Sequence, residues 1–296
     1  MHTTDHLPLF SLQQALAAAQ RLGLERLDAQ WLLLHAVGRP LADRAWLLAH
    51  GDDCCLSTAE RALFSDLCQR WLAGEPLAYL LGQQEFFGLT LAVDRRVLVP
   101  RSDTEVLVNW GLEVLRGLEA HCLAIVDLGT GSGAVALALA QGLLQTRSGG
   151  GVNILAVDSS LEALQVASRN VQQLKRDNWP SIELVHSHWL DSVVKPLSGF
   201  DLILSNPPYI AAADPHLAAL AHEPTMALVS GSDGLDDLRR ITAQAPDFLR
   251  PGGWLLLEHG YDQAIAVRKL LVEQGFCDVQ SRCDLAGIER CSGGSR

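Results

Sequence analysis

The stretch Val126-Asp127-Leu128-Gly129-Thr130-Gly131-Ser132-Gly133 decides the fold. It continues the apolar run Cys122–Asp127 and opens an apolar helical segment, Ala134–Ala140. Glycines let the backbone turn sharply and come close to a ligand, while the first turn of a helix presents free N–H groups. The stretch therefore predicts a strand, a tight turn and a helix, with either a purely structural turn or a nucleotide-type ligand at the glycines.

Short β-rich runs alternate with helical segments from about residue 105 onward. The runs are Cys122–Asp127, Asn153–Asp158, Ile182–His186, Asp201–Ser205 and Trp254–Glu258. Helical segments begin near Gly133, Leu161 and Leu235. This alternation predicts an α/β domain whose sheet is doubly wound, Rossmann-like and mostly parallel. The polar, glycine-rich stretch 145–152 is interpreted as a surface loop.

Residues 1–84 show only helical patterns. Ser11 can cap a first helix, Asp28 a second, and Ser57-Thr58-Ala59-Glu60 has the spacing of a capping box. Residues 87–93 then alternate in the manner of a hairpin strand. We predict three parts: an N-terminal helical bundle domain at 1–84, a β-hairpin linker at 85–104 and the α/β domain at 105–296.

Composition excludes several classes of protein. Hydrophobic residues make up 48% and charged residues 19% of the 296 residues, which is typical of a globular chain. The most apolar helical segment, Ala134–Leu144, is far shorter than the ~20 residues that span a bilayer. The first six residues lack the positively charged region of a secretory signal. A net charge of −11 opposes broad binding of nucleic-acid phosphates.

The cysteines and histidines predict no metal site. The seven cysteines are odd in number and form no Cys-x-x-Cys pair, which predicts reduced, mostly buried thiols in a cytoplasmic protein. His186 and His188 would share a strand face, but no further ligand cluster joins them.

An acidic residue at the end of the second β-rich run suggests a ribose site. Asp158 can accept hydrogen bonds from both hydroxyls of a ribose. Dinucleotide folds prefer Gly-x-Gly-x-x-Gly, whereas Gly129, Gly131 and Gly133 alternate here after Asp127. No Lys or Arg lies nearby to meet a phosphate. The pattern favours S-adenosylmethionine, whose methionine end is cationic and free of phosphate and would welcome a carboxylate.

The tetrapeptide Asn206-Pro207-Pro208-Tyr209 follows the run that ends at Ser205. Two prolines fix φ and remove two N–H donors, so the turn is rigid and its carbonyls remain acceptors. This arrangement resembles the signature of methyltransferases that modify a planar –NH2 group. Asn206 Oδ1 and the Pro207 carbonyl could each accept one hydrogen of that group, with Tyr209 stacked on it, so that the nitrogen lone pair turns toward the methyl donor.

Further motifs make the resemblance specific. The chain resembles the HemK-like family of protein-glutamine N5-methyltransferases that modify peptide chain release factors. The matching segments are Gly74-Glu75-Pro76 with Tyr79 and Gly82, Phe86 with Gly88, Val99–Glu105, Asp127–Gly133, Asn206–Tyr209, Glu223-Pro224 with Ala227-Leu228, and Leu257–Gly260.

The resemblance implies a class I S-adenosylmethionine-dependent enzyme. The substrate would be the side-chain amide N5 of a glutamine in the Gly-Gly-Gln motif of a release factor, with an effect on translation termination. The implied cofactor contacts are Asp127, Gly129, Thr130, Gly131, Ser132, Gly133, Asp158, Trp189 and Asn206. The implied substrate contacts are Asn206, Pro207, Pro208 and Tyr209, of which Asn206, Pro207 and Tyr209 would be catalytic.

His188 departs from the acidic residue that the family often carries before Trp189. Without a carboxylate at this position, Trp189 or the backbone would make the contact with the adenine amine. Ser102 stands where the linker motif often has proline.

Two other functions stay open at this stage. An adenine-N6 methyltransferase of DNA or RNA would need a basic groove or a target-recognition domain, yet residues 1–84 carry six Arg against nine Asp and Glu. A non-catalytic module that binds translation factors would not need Asp158 or Asn206–Tyr209. We expect a cytoplasmic monomer that uses a release factor as its partner, without stable binding to nucleic acid or to a membrane.

Overall fold

The computed structural model describes residues 10–118, 122–144 and 151–296. The chain divides between Gly82 and Gln83 into two compact units. The first six residues, on which the expectation about a secretory signal rests, lie outside the described residues. So does the predicted surface loop 145–152, except for Gly151 and Val152, which begin a strand.

The first unit is built from helices around its own apolar core. In the described part of this unit they are α1 (Leu12–Arg21), α2 (Arg26–Ala36), α3 (Arg44–Ala49), α4 (Thr58–Leu72) and α5 (Leu77–Leu81). Ser57 forms the predicted capping box with Glu60, and Ser11 caps α1 as predicted, through a capping box with Gln14. The prediction for Asp28 is wrong: α2 begins two residues earlier, and the Asp28 carboxylate accepts a hydrogen bond from the Trp71 indole instead (3.1 Å).

The second unit contains a hairpin and a large sheet flanked by helices. Its strands are β1 (Gln83–Phe86), β2 (Leu89–Ala92), β3 (Cys122–Leu128), β4 (Gly151–Asp158), β5 (Ser181–His186), β6 (Phe200–Ser205), β7 (Leu249–Glu258), β8 (Cys277–Cys283) and β9 (Glu289–Ser295). Its helices are α6 (Glu105–Arg116), α7 (Ala134–Leu144), α8 (Leu161–Leu174), α9 (Asp236–Phe248) and α10 (Ala264–Glu273).

The order of strands creates a site at one edge of the sheet. Within the described residues the order is β5-β4-β3-β6-β7-β9-β8, with β3 to β7 parallel and β9 antiparallel to its two neighbours. The chain moves outward from β3 through β4 to β5 and then returns to the other side of β3 with β6. Ligands bind at such a reversal, beyond the carboxyl ends of the strands. The predicted doubly wound, mostly parallel sheet is confirmed, and the glycine turn and the Asn206 turn both lie at this reversal.

Three sequence-based expectations need correction. The alternation over residues 87–93 is not a single strand, because Phe87 and Gly88 form the turn of the hairpin and β2 follows them. The hairpin is also part of the second unit and not a separate linker. The expectation of mostly buried thiols is wrong, since only Cys68 and Cys291 are buried; Cys277 and Cys283 lie on the edge strand β8 and face solvent.

In the part of the chain that the structure describes, no helix combines the length and the apolar character needed to span a membrane.

Candidate active site

The glycine-rich turn after β3 is fixed by the neighbouring strand. The Thr130 N–H donates to the carbonyl of Val157 (2.8 Å), and the Gly131 N–H donates to Asp158 Oδ2 (2.9 Å). Both acceptors lie at the end of β4. The turn and the acidic residue therefore form one hydrogen-bonded unit.

Asp127 lies beneath this turn. Its Oδ2 accepts hydrogen bonds from the Thr130 hydroxyl (2.6 Å) and from the Ala136 N–H (3.2 Å), and the residue is 1% exposed. Burial raises the pKa of its carboxyl to about 7, although these hydrogen bonds favour the charged form. The carboxyl stabilises the turn between β3 and α7, and it does not line the cavity at this edge of the sheet.

Asp158 ends β4 and faces the cavity. Its Oδ1 accepts from the Ser160 N–H (2.8 Å) and its Oδ2 from the Gly131 N–H. Burial raises the pKa of this carboxyl, and the backbone hydrogen bonds oppose that shift. Each carboxylate oxygen has a second lone pair. The residue can therefore accept hydroxyl hydrogen bonds without releasing the turn.

Trp189 is held edge-on against the glycine turn. Its Nε1–H donates to Asp237 Oδ1 (3.0 Å), and the Ser230 hydroxyl fixes the same carboxylate through Oδ2 (2.7 Å). The backbone of Trp189 has a φ of +51°. A Cβ built on Gly129, whose φ is +72°, would come within 3.3 Å of the indole, so only glycine suits both the turn and the ring.

The Asn206–Tyr209 turn follows β6 directly. The Ser205 hydroxyl donates to the Leu128 carbonyl (2.7 Å), which ties the ends of β6 and β3 together. Asn206 Nδ2 donates to Thr104 Oγ1 (3.1 Å). This bond uses the amide nitrogen and leaves Asn206 Oδ1 as an acceptor at the cavity.

Tyr209 is braced at both its backbone and its ring. Its carbonyl accepts from Gln263 Nε2 (3.0 Å), and its hydroxyl donates to Glu258 Oε1 (3.4 Å). Glu258 ends β7 and His259 follows it, and both are buried and not in contact with solvent. Glu258 is 2% exposed and His259 is fully buried, with Nε2 hydrogen-bonded to the Ser292 hydroxyl (2.8 Å).

The segment after the hairpin forms part of the cavity wall. Glu223 Oε2 accepts from the Val99 N–H (3.0 Å), and its Oε1 pairs with the Arg101 guanidinium. The carboxylate is almost fully buried, so it clamps this segment to the loop that follows Tyr209. The predicted linker thus contributes residues 96–98 and 100 to the site.

A cavity of about 330 Å³ opens at this edge of the sheet. Predicted site residues that line it are Gly129, Thr130, Gly131, Ser132, Asp158, Trp189, Asn206 and Pro208. Predicted site residues outside the lining are Asp127, Gly133, Pro207 and Tyr209; Tyr209 borders an adjoining groove with Pro100 and Arg101.

Sequence reasoning missed Thr104 and Asp237, which also line the cavity. His188 lines it as well, although it lies beyond the end of β5 and does not share a strand face with His186, whose Nε2 is hydrogen-bonded to the Ser159 carbonyl (3.0 Å). The position of Thr104 within the Val99–Glu105 motif was the only signal in the sequence that pointed to it.

Comparison with known proteins identifies both units. A model described as the PrmC N-terminal domain matches residues 11–82, and a methyltransferase small domain model matches residues 112–273. The release factor glutamine methyltransferase of Bordetella pertussis is 46% identical over 274 residues, which cover 92% of this chain and 95% of that protein. The protein of the same name from Burkholderia pseudomallei is 43% identical over 299 residues and covers 99% of each chain.

Among solved structures, the hMettl16 catalytic domain in complex with MAT2A 3'UTR hairpin 1 is similar in fold, with a TM-score of 0.55. The match covers 74% of this chain and 78% of that one at 19% identity, so it establishes the shared methyltransferase fold alone. The sequence relatives carry more weight, because they are 43–46% identical and their matches cover nearly the whole chain. This chain belongs to the release factor glutamine methyltransferase family.

Proposed function

We propose that this protein transfers a methyl group from S-adenosylmethionine to the side-chain N5 of a glutamine in a peptide chain release factor. The observation that carries the proposal is the position of Asn206. Its side chain is fixed by the hydrogen bond from Nδ2 to Thr104 at the start of the Asn-Pro-Pro-Tyr turn. Its Oδ1 can therefore accept a hydrogen bond in the cavity that Asp158 also lines.

The residues around the cavity suit S-adenosylmethionine. Asp158 would hold the ribose hydroxyls, Trp189 would offer an apolar face, and the turn at Gly129–Ser132 would lie against the rest of the molecule. The lining has no phosphate-binding lysine among the described residues, and its Arg96 is held by Asp94 through two hydrogen bonds (2.9 and 2.7 Å). When bound, this cofactor supplies a methyl group on a cationic sulfur.

The turn residues would act on the amide of the substrate. An amide nitrogen is a poor nucleophile because its lone pair is shared with the carbonyl. Asn206 Oδ1 accepts one amide hydrogen and the Pro207 carbonyl accepts the other, so the lone pair is turned toward the cavity. Tyr209 keeps the group in plane. Positioning and preorganised dipoles of this kind lower a barrier without a general base before attack. The methylated nitrogen is far more acidic than the amide, so its extra proton leaves after the transfer.

The helical unit is proposed to dock the release factor. A cleft that recognises one glutamine side chain cannot distinguish it from the glutamines of other proteins. The match of residues 11–82 to a domain found in this family supports a separate role for the unit. The cytoplasmic location and the monomeric state belong to the same proposal.

An acceptor competition tests the function. The protein is incubated with methyl-labelled S-adenosylmethionine and either a release factor or an adenine-containing oligonucleotide. We expect label in the release factor and none in a release factor whose Gly-Gly-Gln glutamine is replaced by alanine. Label in the oligonucleotide alone would favour the adenine methyltransferase, and label in neither would contradict catalysis of either reaction.

A further inference from the structure

A chain of polar groups lies beneath the Asn-Pro-Pro-Tyr turn. Asn206 Nδ2 donates to Thr104 Oγ1 (3.1 Å), and the Thr104 side chain in turn interacts with the carboxyl of Glu258. The Tyr209 hydroxyl reaches the same carboxyl from the other end of the turn (3.4 Å). Thr104 and Glu258 are 4% and 2% exposed. One buried carboxyl therefore connects the first and the last residue of the turn.

The surroundings of Glu258 do not suit a group kept for stability. Its Oε2 has no hydrogen-bond partner among the described residues. Of the charged groups that face it, Arg290 is paired with Asp103 (3.2 Å) and Asp284 (3.0 Å), and Asp103 repels it. Cys291, its neighbour on β9, is a buried thiol whose pKa is raised. A buried, incompletely paired carboxyl costs free energy, and such groups are concentrated at functional sites.

We propose that Glu258 is a positioning residue for methyl transfer, which orients Tyr209 directly and Asn206 through the Thr104 hydroxyl. The inference rests on the proposed function, because it assigns Asn206 Oδ1 as the acceptor for the substrate amide. An asparagine side chain can rotate and exchange its oxygen for its nitrogen. With Thr104 accepting from Nδ2, only the oxygen can face the substrate.

The charged form of Glu258 is the one that suits this role. A carboxylate can accept from both the Thr104 and the Tyr209 hydroxyls, and a Thr104 hydroxyl that donates to it keeps its oxygen for Asn206. A protonated carboxyl can donate to the Thr104 oxygen instead and compete with Asn206. Burial raises the pKa of Glu258 to about 7, so the carboxyl changes between its protonated and charged forms near neutral pH.

Paired substitutions at Thr104 test the role in the full-length protein. Thr104→Val keeps the shape of the side chain and removes the hydroxyl, whereas Thr104→Ser keeps the hydroxyl. We expect the single-turnover rate constant to fall about 10–100-fold in Thr104→Val and to recover to within about threefold of the parent in Thr104→Ser. Thr242→Val is the matched control, because Thr242 is buried and, among the described residues, its hydroxyl bonds only to carbonyls of its own helix.

Two further readouts separate positioning from folding. The dissociation constant of S-adenosylmethionine should change less than threefold in Thr104→Val. In the parent the rate should rise with pH through about 7, and this rise should flatten in Glu258→Gln. Thr104→Val or Glu258→Gln with the parent's rate and pH profile would overturn the inference, as would a rate loss in Thr104→Val that Thr104→Ser does not recover.

The rate ratios are measured on the acceptor that the parent methylates, release factor or oligonucleotide. A parent that methylates only the oligonucleotide contradicts the proposed function, while the ratios still decide the role of Glu258. A parent inactive on both acceptors overturns the two proposals together.

Discussion

At the scale of single residues, Asn206 has the most demanding role. Alanine removes the acceptor, and we expect kcat to fall about 10²–10³-fold, because the hydrogen bond strengthens as charge develops on the nitrogen. Aspartate keeps an oxygen in nearly the same place and should retain more activity than alanine. Single-turnover methylation of a release factor by the three proteins checks the order Asn, Asp, Ala. An alanine variant as fast as the parent would reduce Asn206 to a turn residue.

Asp158 is expected to determine cofactor affinity. Asp158→Ala should weaken the binding of S-adenosylmethionine by about 1–3 kcal/mol, because it removes a hydroxyl acceptor and also the partner of the Gly131 and Ser160 N–H groups. Asp158→Asn keeps one oxygen and is expected to lose less. Calorimetry measures both variants. Unchanged affinity in a folded alanine variant would remove Asp158 from the site.

Glu258 should make stability and activity respond oppositely to pH. Its pKa is about 7 in the folded protein against an ordinary value of 4.5, so the folded state binds the additional proton between these values. The free energy of unfolding contributed by this group is therefore highest at low pH and is lost as the pH rises through 7. Relative to the parent, Glu258→Gln should gain about 1–3 kcal/mol of stability between pH 5 and pH 8 in urea titrations. A difference that does not vary with pH would contradict the raised pKa.

Most of the site residues could be predicted from the sequence because they follow strands. Asp158 and Asn206 each come directly after an apolar run, and parallel strands place such residues at one edge of the sheet. Glu258 also ends a strand, but its burial depends on contacts with Thr104 and Tyr209, which are far from it in the chain. No local pattern distinguishes it from a polar residue that meets water.

At the scale of elements, the sequence predicted the five parallel strands of the large sheet, β3 to β7. Each of them carries an apolar run, whereas β9 reads Glu-Arg-Cys-Ser-Gly-Gly-Ser and has no such run. Its glycines are required by close packing: a Cβ on Gly293 would lie 2.5 Å from the Leu255 carbonyl oxygen and 2.5 Å from the Leu256 side chain. The strand is therefore defined by its neighbours and not by its own β propensity.

This packing predicts the effect of adding one methyl group. Gly293→Ala should lower the free energy of unfolding by about 1–3 kcal/mol, because neither the backbone oxygen nor the packed leucine can easily move away. Gly117→Ala is the control, since the nearest atom to its Cβ would be 3.4 Å away; we expect a change within about 0.5 kcal/mol. Equal stability of the two variants in urea titrations would contradict the close packing of β9.

At the scale of the whole molecule, we expect the second unit to bind S-adenosylmethionine and the helical unit to dock the release factor. Each has its own apolar core, so residues 83–296 expressed alone should bind S-adenosylmethionine as the full chain does. They should lose methylation of an intact release factor, while a short Gly-Gly-Gln peptide at high concentration should be methylated at similar rates by both forms. Full activity of the shortened protein on the intact factor would contradict the docking role.

The central claim is that the cavity and the Asn206 turn methylate one glutamine nitrogen of a release factor. The most direct measurement is peptide mass spectrometry of a release factor after incubation with the protein and S-adenosylmethionine. The claim predicts the mass of one added methyl group on the Gly-Gly-Gln glutamine, with fragmentation placing it on the side-chain amide, and about 10²–10³-fold slower accumulation with Asn206→Ala. A methyl group on any other residue, or equal accumulation with Asn206→Ala, would contradict the claim.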